Sequence, residues 1–284
     1  MKDDIVLIVS DFSGQPIGAK EIKVVHRAAE RGDPMAQDCL GFMYSEGRGV
    51  AQDWAQAAKW YRLAANKGVA SAQYNLGELY YHGNGVAEDR AEAFNWTLLA
   101  GKQGFVPAQY NLGCMFRDGE GVAKDKPKAL EWFLKASKQG DAMSQFNLSV
   151  MYGKGDGVPI DLPQSLKWIH LAAAQGYDRA QCNLGLMYLI GHGVDRNKSE
   201  GLRLVRLSAE QGYGKGQFVL GTLLAKGLGG VPKDKAEAAK WLDKVKGQSF
   251  PTATGALKML SSFNWLEKIG KLIGKSQKIK ISKK

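Results

Sequence analysis

Four histidines, three cysteines, paired acids and a set of glycine-rich loops are the residues of this 284-residue chain whose types could carry chemistry. A metal hydrolase needs two histidines one helical turn apart with a glutamate between them. His26, His82, His170 and His192 stand far from one another, and no HExxH, G-x-S-x-G or P-loop pattern occurs. Gly-x-Gly-Val, at Gly83/Gly85/Val86 and its copies, has the look of a phosphate cradle. Such cradles follow a strand, and the even spacing of these copies points to turns that end helices. Asp118 and Glu120 could serve acid–base work, but in a loop they read as solvated charges. Cys39, Cys114 and Cys182 are odd in number and lack C-x-x-C spacing, which predicts a reducing cytoplasm without structural disulfides. These residues predict no enzyme, no metal and no cofactor. The chemistry left is recognition, and its placement depends on the elements that carry it.

Those elements repeat every 36 residues. Leu-Gly recurs at Leu40-Gly41, Leu76-Gly77, Leu112-Gly113, Leu184-Gly185 and Leu220-Gly221, with Leu148-Ser149 in the fourth copy. Ala72, Leu76 and Tyr80 lie at i, i+4 and i+8, the stripe of a first helix. Gly77 beside that stripe would cost about 1 kcal/mol relative to alanine, so its return predicts a close-passing neighbour. The Gly-x-Gly-Val segment ends this helix. Asp53, Asp89, Asp125, Asp161 and Asp234 then fit N-caps of a second helix, with Pro127 and Pro163 in its first turn. That helix sets Trp60, Trp96, Trp132, Trp168 and Trp241 against small residues such as Ala64, Ala100, Ala136 and Ala172. One helix pair has too little core to fold alone, so neighbours must stack. The expectation is an all-α, right-handed α-solenoid of about six helix-pair units.

The pattern Ala-x-x-x-Leu-Gly-x-x-Tyr, Gly-x-Gly-Val, Asp, Ala-x-x-Trp, Ala-Ala-x-x-Gly resembles the Sel-one-like repeat family, relatives of the tetratricopeptide repeats. The resemblance spans residues 21–247, beginning with a half repeat marked by Ala28, Ala29 and Gly32. It implies a non-catalytic scaffold or adaptor that binds a protein or peptide. Some bacterial members are similar to inhibitors of secreted toxic enzymes, so a toxin or effector enzyme is a second kind of partner.

Alignment on the tetratricopeptide pattern assigns one first-helix face to a concave groove. Its stripes read Asp38, Tyr74, Tyr110, Phe146, Cys182 and Phe218, then Phe42, Glu78, Cys114, Val150, Leu186 and Thr222, with Tyr81, Arg117 and Leu189 a turn beyond. An aromatic, weakly charged wall suits a helical or extended peptide. Packing between repeats accounts for the same aromatics equally well. The phase of Asn75, Asn111, Asn147 and Asn183 reads as structural, a buried amide bridging backbones of adjacent helices.

The termini leave the repeat. Residues 1–20 include a β-branched run and a Gly14-Gln15-Pro16 turn, read as a short strand or hairpin, and that run is too short for a membrane span or signal peptide. Residues 248–284 hold eight of the lysines against one glutamate, so about seven of the eleven formal positive charges reside there. Leu260, Phe263, Leu266, Ile269 and Ile273 recur at helical spacing. Three readings share this basic amphipathic helix: a cap on the last repeat, a contact with a partner, or an anionic membrane surface, through Trp265, Lys268, Lys271 and Lys275. Nucleic-acid contact ranks below all three.

Overall fold

The computed structural model describes residues 18–246. The expectations for the first seventeen residues and for the tail, Trp265, Lys268, Lys271 and Lys275 included, lie outside them. Among the described residues there are thirteen α-helices and no strand. A lone helix, α1 (Ala19–Glu30), precedes six pairs. The pairs are α2 (Pro34–Glu46) with α3 (Trp54–Asn66), α4 (Ala70–His82) with α5 (Arg90–Lys102), and α6 (Val106–Asp118) with α7 (Lys126–Lys138). They continue with α8 (Ala142–Lys154) and α9 (Leu162–Ala174), α10 (Asp178–Ile190) and α11 (Lys198–Glu210), and α12 (Gly214–Lys226) and α13 (Lys235–Lys244). The chain divides into two compact units, one running to Met151 and taking in Gly155–Pro159, the other formed by Tyr152–Lys154 and the residues from Ile160 on.

Within each pair, the end of the first helix and the start of the second follow from the chemistry of single residues. All six first helices end on a glycine with φ between 67° and 81°, from Gly47 to Gly227, a left-handed conformation that costs other residues a Cβ clash. Asp53, Asp89, Asp125, Asp161 and Asp234 open second helices, each accepting a hydrogen bond from a backbone N–H of the first turn. Asn197 does the same for α11.

The helical glycines have the close neighbours their recurrence demands. A Cβ on Gly77 would lie 2.8 Å from Thr97 Oγ1 and 3.2 Å from the Ala93 carbonyl oxygen, so α4 and α5 pass backbone against backbone. On Gly113 it would meet the Phe133 ring at 2.5 Å. What approaches therefore depends on the facing residue of the second helix: a small side chain admits the backbone, whereas an aromatic lays its ring over the glycine. Ala72, Leu76, Ala108, Leu112 and Leu148 form the buried stripe of the first unit. Trp60, Trp132 and Trp168 are buried, as are Ala64, Ala136 and Ala172, and Trp60 packs with Val25, Ala29, Ala36 and Leu40 of the preceding elements.

A buried amide does bridge helices, but at the phase before the aromatic stripe rather than at the asparagines. Gln37, Gln73, Gln109, Gln145, Gln181 and Gln217 each donate Nε2 to the carbonyl eight residues earlier, at 3.0–3.5 Å, near the end of the preceding second helix. There the last carbonyls have no partner within the helix. A second glutamine extends the contact. Gln103 donates to Gln73 Oε1 at 2.7 Å, Gln139 to Gln109 Oε1 at 2.8 Å, and Gln211 to Gln181 Oε1 at 2.7 Å. At this second phase the first repeat has Lys67, which bonds the Gly32 carbonyl instead, and Gln37 Oε1 is buried without a partner.

Asn111, Asn147 and Asn183 are half-buried and bond side chains of the adjacent repeat. Asn111 Nδ2 donates to Glu78 Oε1 at 2.9 Å, Asn147 Oδ1 accepts from Arg117 at 2.7 Å, and Asn183 Oδ1 accepts from Lys215 at 3.0 Å. The physical reason is position: two residues further round the helix, the amide leaves the carbonyls of the buried turn and reaches the polar margin of the face.

Candidate protein-interaction site

In the first unit the helices α2, α4, α6 and α8 carry Asp38, Phe42, Tyr74, Glu78, Tyr81, Tyr110, Cys114, Arg117, Phe146 and Val150, all partly exposed. Each is tethered. Tyr74 tilts against Phe105 with ring centroids 5.4 Å apart, and Tyr110 against Phe133 at 6.0 Å. Arg48 lies over the Phe42 ring at 5.9 Å. Such rings are held yet stay partly exposed, so little conformational freedom remains to be lost on binding.

In the second unit, Leu186 is half-buried, but Leu189 is 4% and Phe218 8% exposed, both within that unit's apolar cluster. The expectation that Leu189 and Phe218 meet a partner is therefore corrected: they are core side chains. Cys182 and Thr222, on the same stripes, are buried too. Here Cys182, Leu189, Phe218 and Leu223 fill one cluster, so a phase open in one unit is filled in the other.

The polar members of the first-unit face are unevenly satisfied. Ser71 Oγ donates to Asp38 Oδ2 at 2.5 Å, while Asp38 Oδ1 is buried and has no partner. Burial pushes the Asp38 carboxyl above the usual range, against the Ser71 bond. Glu78 is raised for the same first reason, against the attraction of His82, whose Nε2 lies 3.9 Å away, and the Asn111 bond. Burial and the Glu78 charge push Tyr74 up to about 12. Arg117 grips both Asp118 oxygens, at 2.9 and 2.6 Å. Asp118, at the end of α6, and Glu120, in the loop after it, are thus engaged rather than merely solvated, since Glu120 Oε2 accepts the Tyr81 hydroxyl at 2.6 Å.

Between α4, α5 and α6 a recess of about 210 Å³ opens, lined by Glu78, Tyr81, Ala93, Thr97, Asn111, Cys114, Met115 and Glu120. Glu78, Tyr81 and Cys114 were visible on the stripes. Ala93 and Thr97 come from the second helix, and Asn111 and Glu120 have the structural and solvated readings above. The signal for Glu78 was its charge at a phase that elsewhere reads Phe42, Cys114, Val150, Leu186 and Thr222. Of the three thiols, none in a disulfide, Cys114 alone is not buried. Among the described residues no helix is long and apolar enough to cross a membrane, and no group of three or more His, Cys, Asp or Glu side chains is placed to hold a metal.

A stack of capped helix pairs, clamped by buried amides and presenting aromatic side chains from its first helices, defines an all-α solenoid of the kind that mediates protein–protein interaction. The chain belongs to the Sel1 repeat family, whose repeat matches residues 34–69, 70–105, 106–141, 142–177, 178–213 and 214–244. Among solved structures it is similar to a protective antigen of uropathogenic Escherichia coli strains displaying an SLR fold, with 38% identity and a TM-score of 0.76. The alignment covers 87% of this chain and 53% of that one, so the chain spans about half the length of that antigen. It is also similar to a Sel1 repeat protein from Oxalobacter formigenes, 31% identical with a TM-score of 0.72, over 80% of this chain and 98% of that one. An immunity protein from Pseudomonas aeruginosa, 21% identical with a TM-score of 0.45 over 73% and 79% of the two chains, is too distant to carry an argument. No curated protein matches the chain.

Proposed function

We propose that the protein is a non-catalytic binding module that holds a segment of a protein partner on the first-helix face of its first unit. One observation carries the reading: Phe42, Tyr74, Tyr110 and Phe146, on α2, α4, α6 and α8, stay partly exposed although each sits on a helix whose adjoining stripe is fully buried. Partly exposed, pre-ordered aromatics provide contact area at low entropic cost, and a few such anchors carry most of an interface's energy. Asp38, Glu78 and Arg117 along the same face set the register of a charged segment.

The test is capture of a partner by the full chain and by Tyr110→Ala/Phe146→Ala. Loss of capture by a variant whose melting is within a few degrees of the parent supports the reading, and undiminished capture by that folded variant refutes it. Assay of the captured protein then separates a scaffold from a dedicated inhibitor. An inhibitor abolishes the activity of the one enzyme it holds, whereas a scaffold leaves its partners active.

A further inference from the structure

We infer that the recess between α4, α5 and α6 is a socket for an arginine side chain of the protein partner. The inference rests on the proposed binding face and deepens it. Two carboxylates border the recess, Glu78 from α4 and Glu120 from the loop after α6. Neither forms an ion pair with a lysine or arginine among the described residues, in a chain with a formal charge of +11.

The chain's own nearby cations are committed elsewhere. Arg90 pairs with Glu88 at 2.7 Å and stacks over the Tyr81 ring at 3.6 Å. Arg117 is bound to Asp118 and Asn147. His82, 3.9 Å from Glu78, sits on the exposed side. One oxygen of each carboxylate is already oriented, Glu78 Oε1 by Asn111 and Glu120 Oε2 by the Tyr81 hydroxyl. Glu120 Oε1 accepts no hydrogen bond from the described residues, and Glu78 Oε2 has only His82 Nε2 near it, at 3.9 Å and beyond hydrogen-bond reach, so both oxygens keep capacity for an incoming donor.

The remaining surroundings favour guanidinium over ammonium. The recess is half-buried, with Thr97 and Cys114 on its walls, and a weakly hydrated planar cation surrenders less solvation on entering it. Burial of Glu78 disfavours its charged form. A guanidinium beside it offsets that penalty, which gives the site a preference for a cation over a neutral group of the same shape.

The site contains its own reporter. Cys39 and Cys182 are 5% and 0% exposed, so iodoacetamide reacts with the native full chain at Cys114. At fixed ionic strength, Nα-acetyl-arginine amide at three times its dissociation constant slows that reaction about fourfold. The neutral isostere Nα-acetyl-citrulline amide leaves the rate unchanged. Glu78→Gln, which keeps the side-chain shape and an acceptor for Asn111, loses the protection, and Glu120→Gln weakens it. Equal protection by citrulline, no protection by arginine, or full protection in both variants overturns the socket. If Tyr110→Ala/Phe146→Ala loses its partner while arginine has no effect, the face stands and the socket falls. If arginine protects and that variant still captures the partner, the socket stands and the wider face falls.

Discussion

Gln109 is 5% exposed and joins two repeats, donating to the Gly101 carbonyl at 3.2 Å and accepting from Gln139 at 2.8 Å. Gln109→Met keeps the length of the side chain and removes both bonds. The Gly101 oxygen retains the Gly104 N–H at 3.1 Å, and Gln139 retains the Gly104 carbonyl at 3.1 Å, so neither group is orphaned. The loss is then that of ordinary intramolecular bonds, about 1–2 kcal/mol in all. At about 2–4 °C per kcal/mol for a chain of this size, the melting midpoint falls by about 2–8 °C. Gln37→Met is the internal control. It also removes one bond, to the Ala29 carbonyl at 3.0 Å, but eliminates a buried oxygen that has no partner. These effects oppose each other, leaving a change within about 0.5 kcal/mol. Thermal melts followed by far-ultraviolet circular dichroism, with a Gln109→Met/Gln139→Ala cycle to isolate the rung, measure the difference. A Gln37→Met loss equal to or larger than that of Gln109→Met would refute the claim that the paired amides stabilise the stack.

The raised Glu78 carboxyl gives a pH signature. Its folded-state pKa lies above the unfolded value, so the associated stability is present below the unfolded pKa and lost as pH rises through the folded one. Glu78→Gln therefore melts higher than the parent at neutral pH, with the gap closing on acidification through the folded-state pKa; a pH-independent gap contradicts the sign. Gly113→Ala drives a methyl into the Phe133 ring and destabilises by about 1–3 kcal/mol in denaturant titration.

The caps and stops of the helices were legible because each is a local event: an aspartate or a glycine acts within one turn. The glutamine clamp was equally periodic, at Gln37, Gln73, Gln109, Gln145, Gln181 and Gln217, and its signal was a polar residue in every copy beside the buried alanine, serine or glycine. Recognising its task requires knowing that the carbonyl eight residues back returns across the loop, which is a distance in space. The asparagine phase sits two residues away and took the same reading without that geometry. The outward stripe was legible as a set of phases, but the burial of Leu189 and Phe218 depends on how the second unit fills its interior. Glu78 announced itself by charge. Its recess required Thr97 from a second helix and Glu120 from a loop, which no single-helix periodicity can assemble.

The amide ladder has a direction. The paired rungs at Gln73, Gln109 and Gln181 each donate toward the preceding repeat and accept from their own, so these internal units offer their neighbours the same donor and acceptor. Excising residues 106–141 would remove one whole period and leave the types of bonding group at the new junction unchanged. The number of units is consequently uncoupled from the chemistry of joining them. Lys67 and Gln37 mark where the first unit's ladder stops, and a lineage carrying this rung can lengthen or shorten its binding face without inventing a new joint.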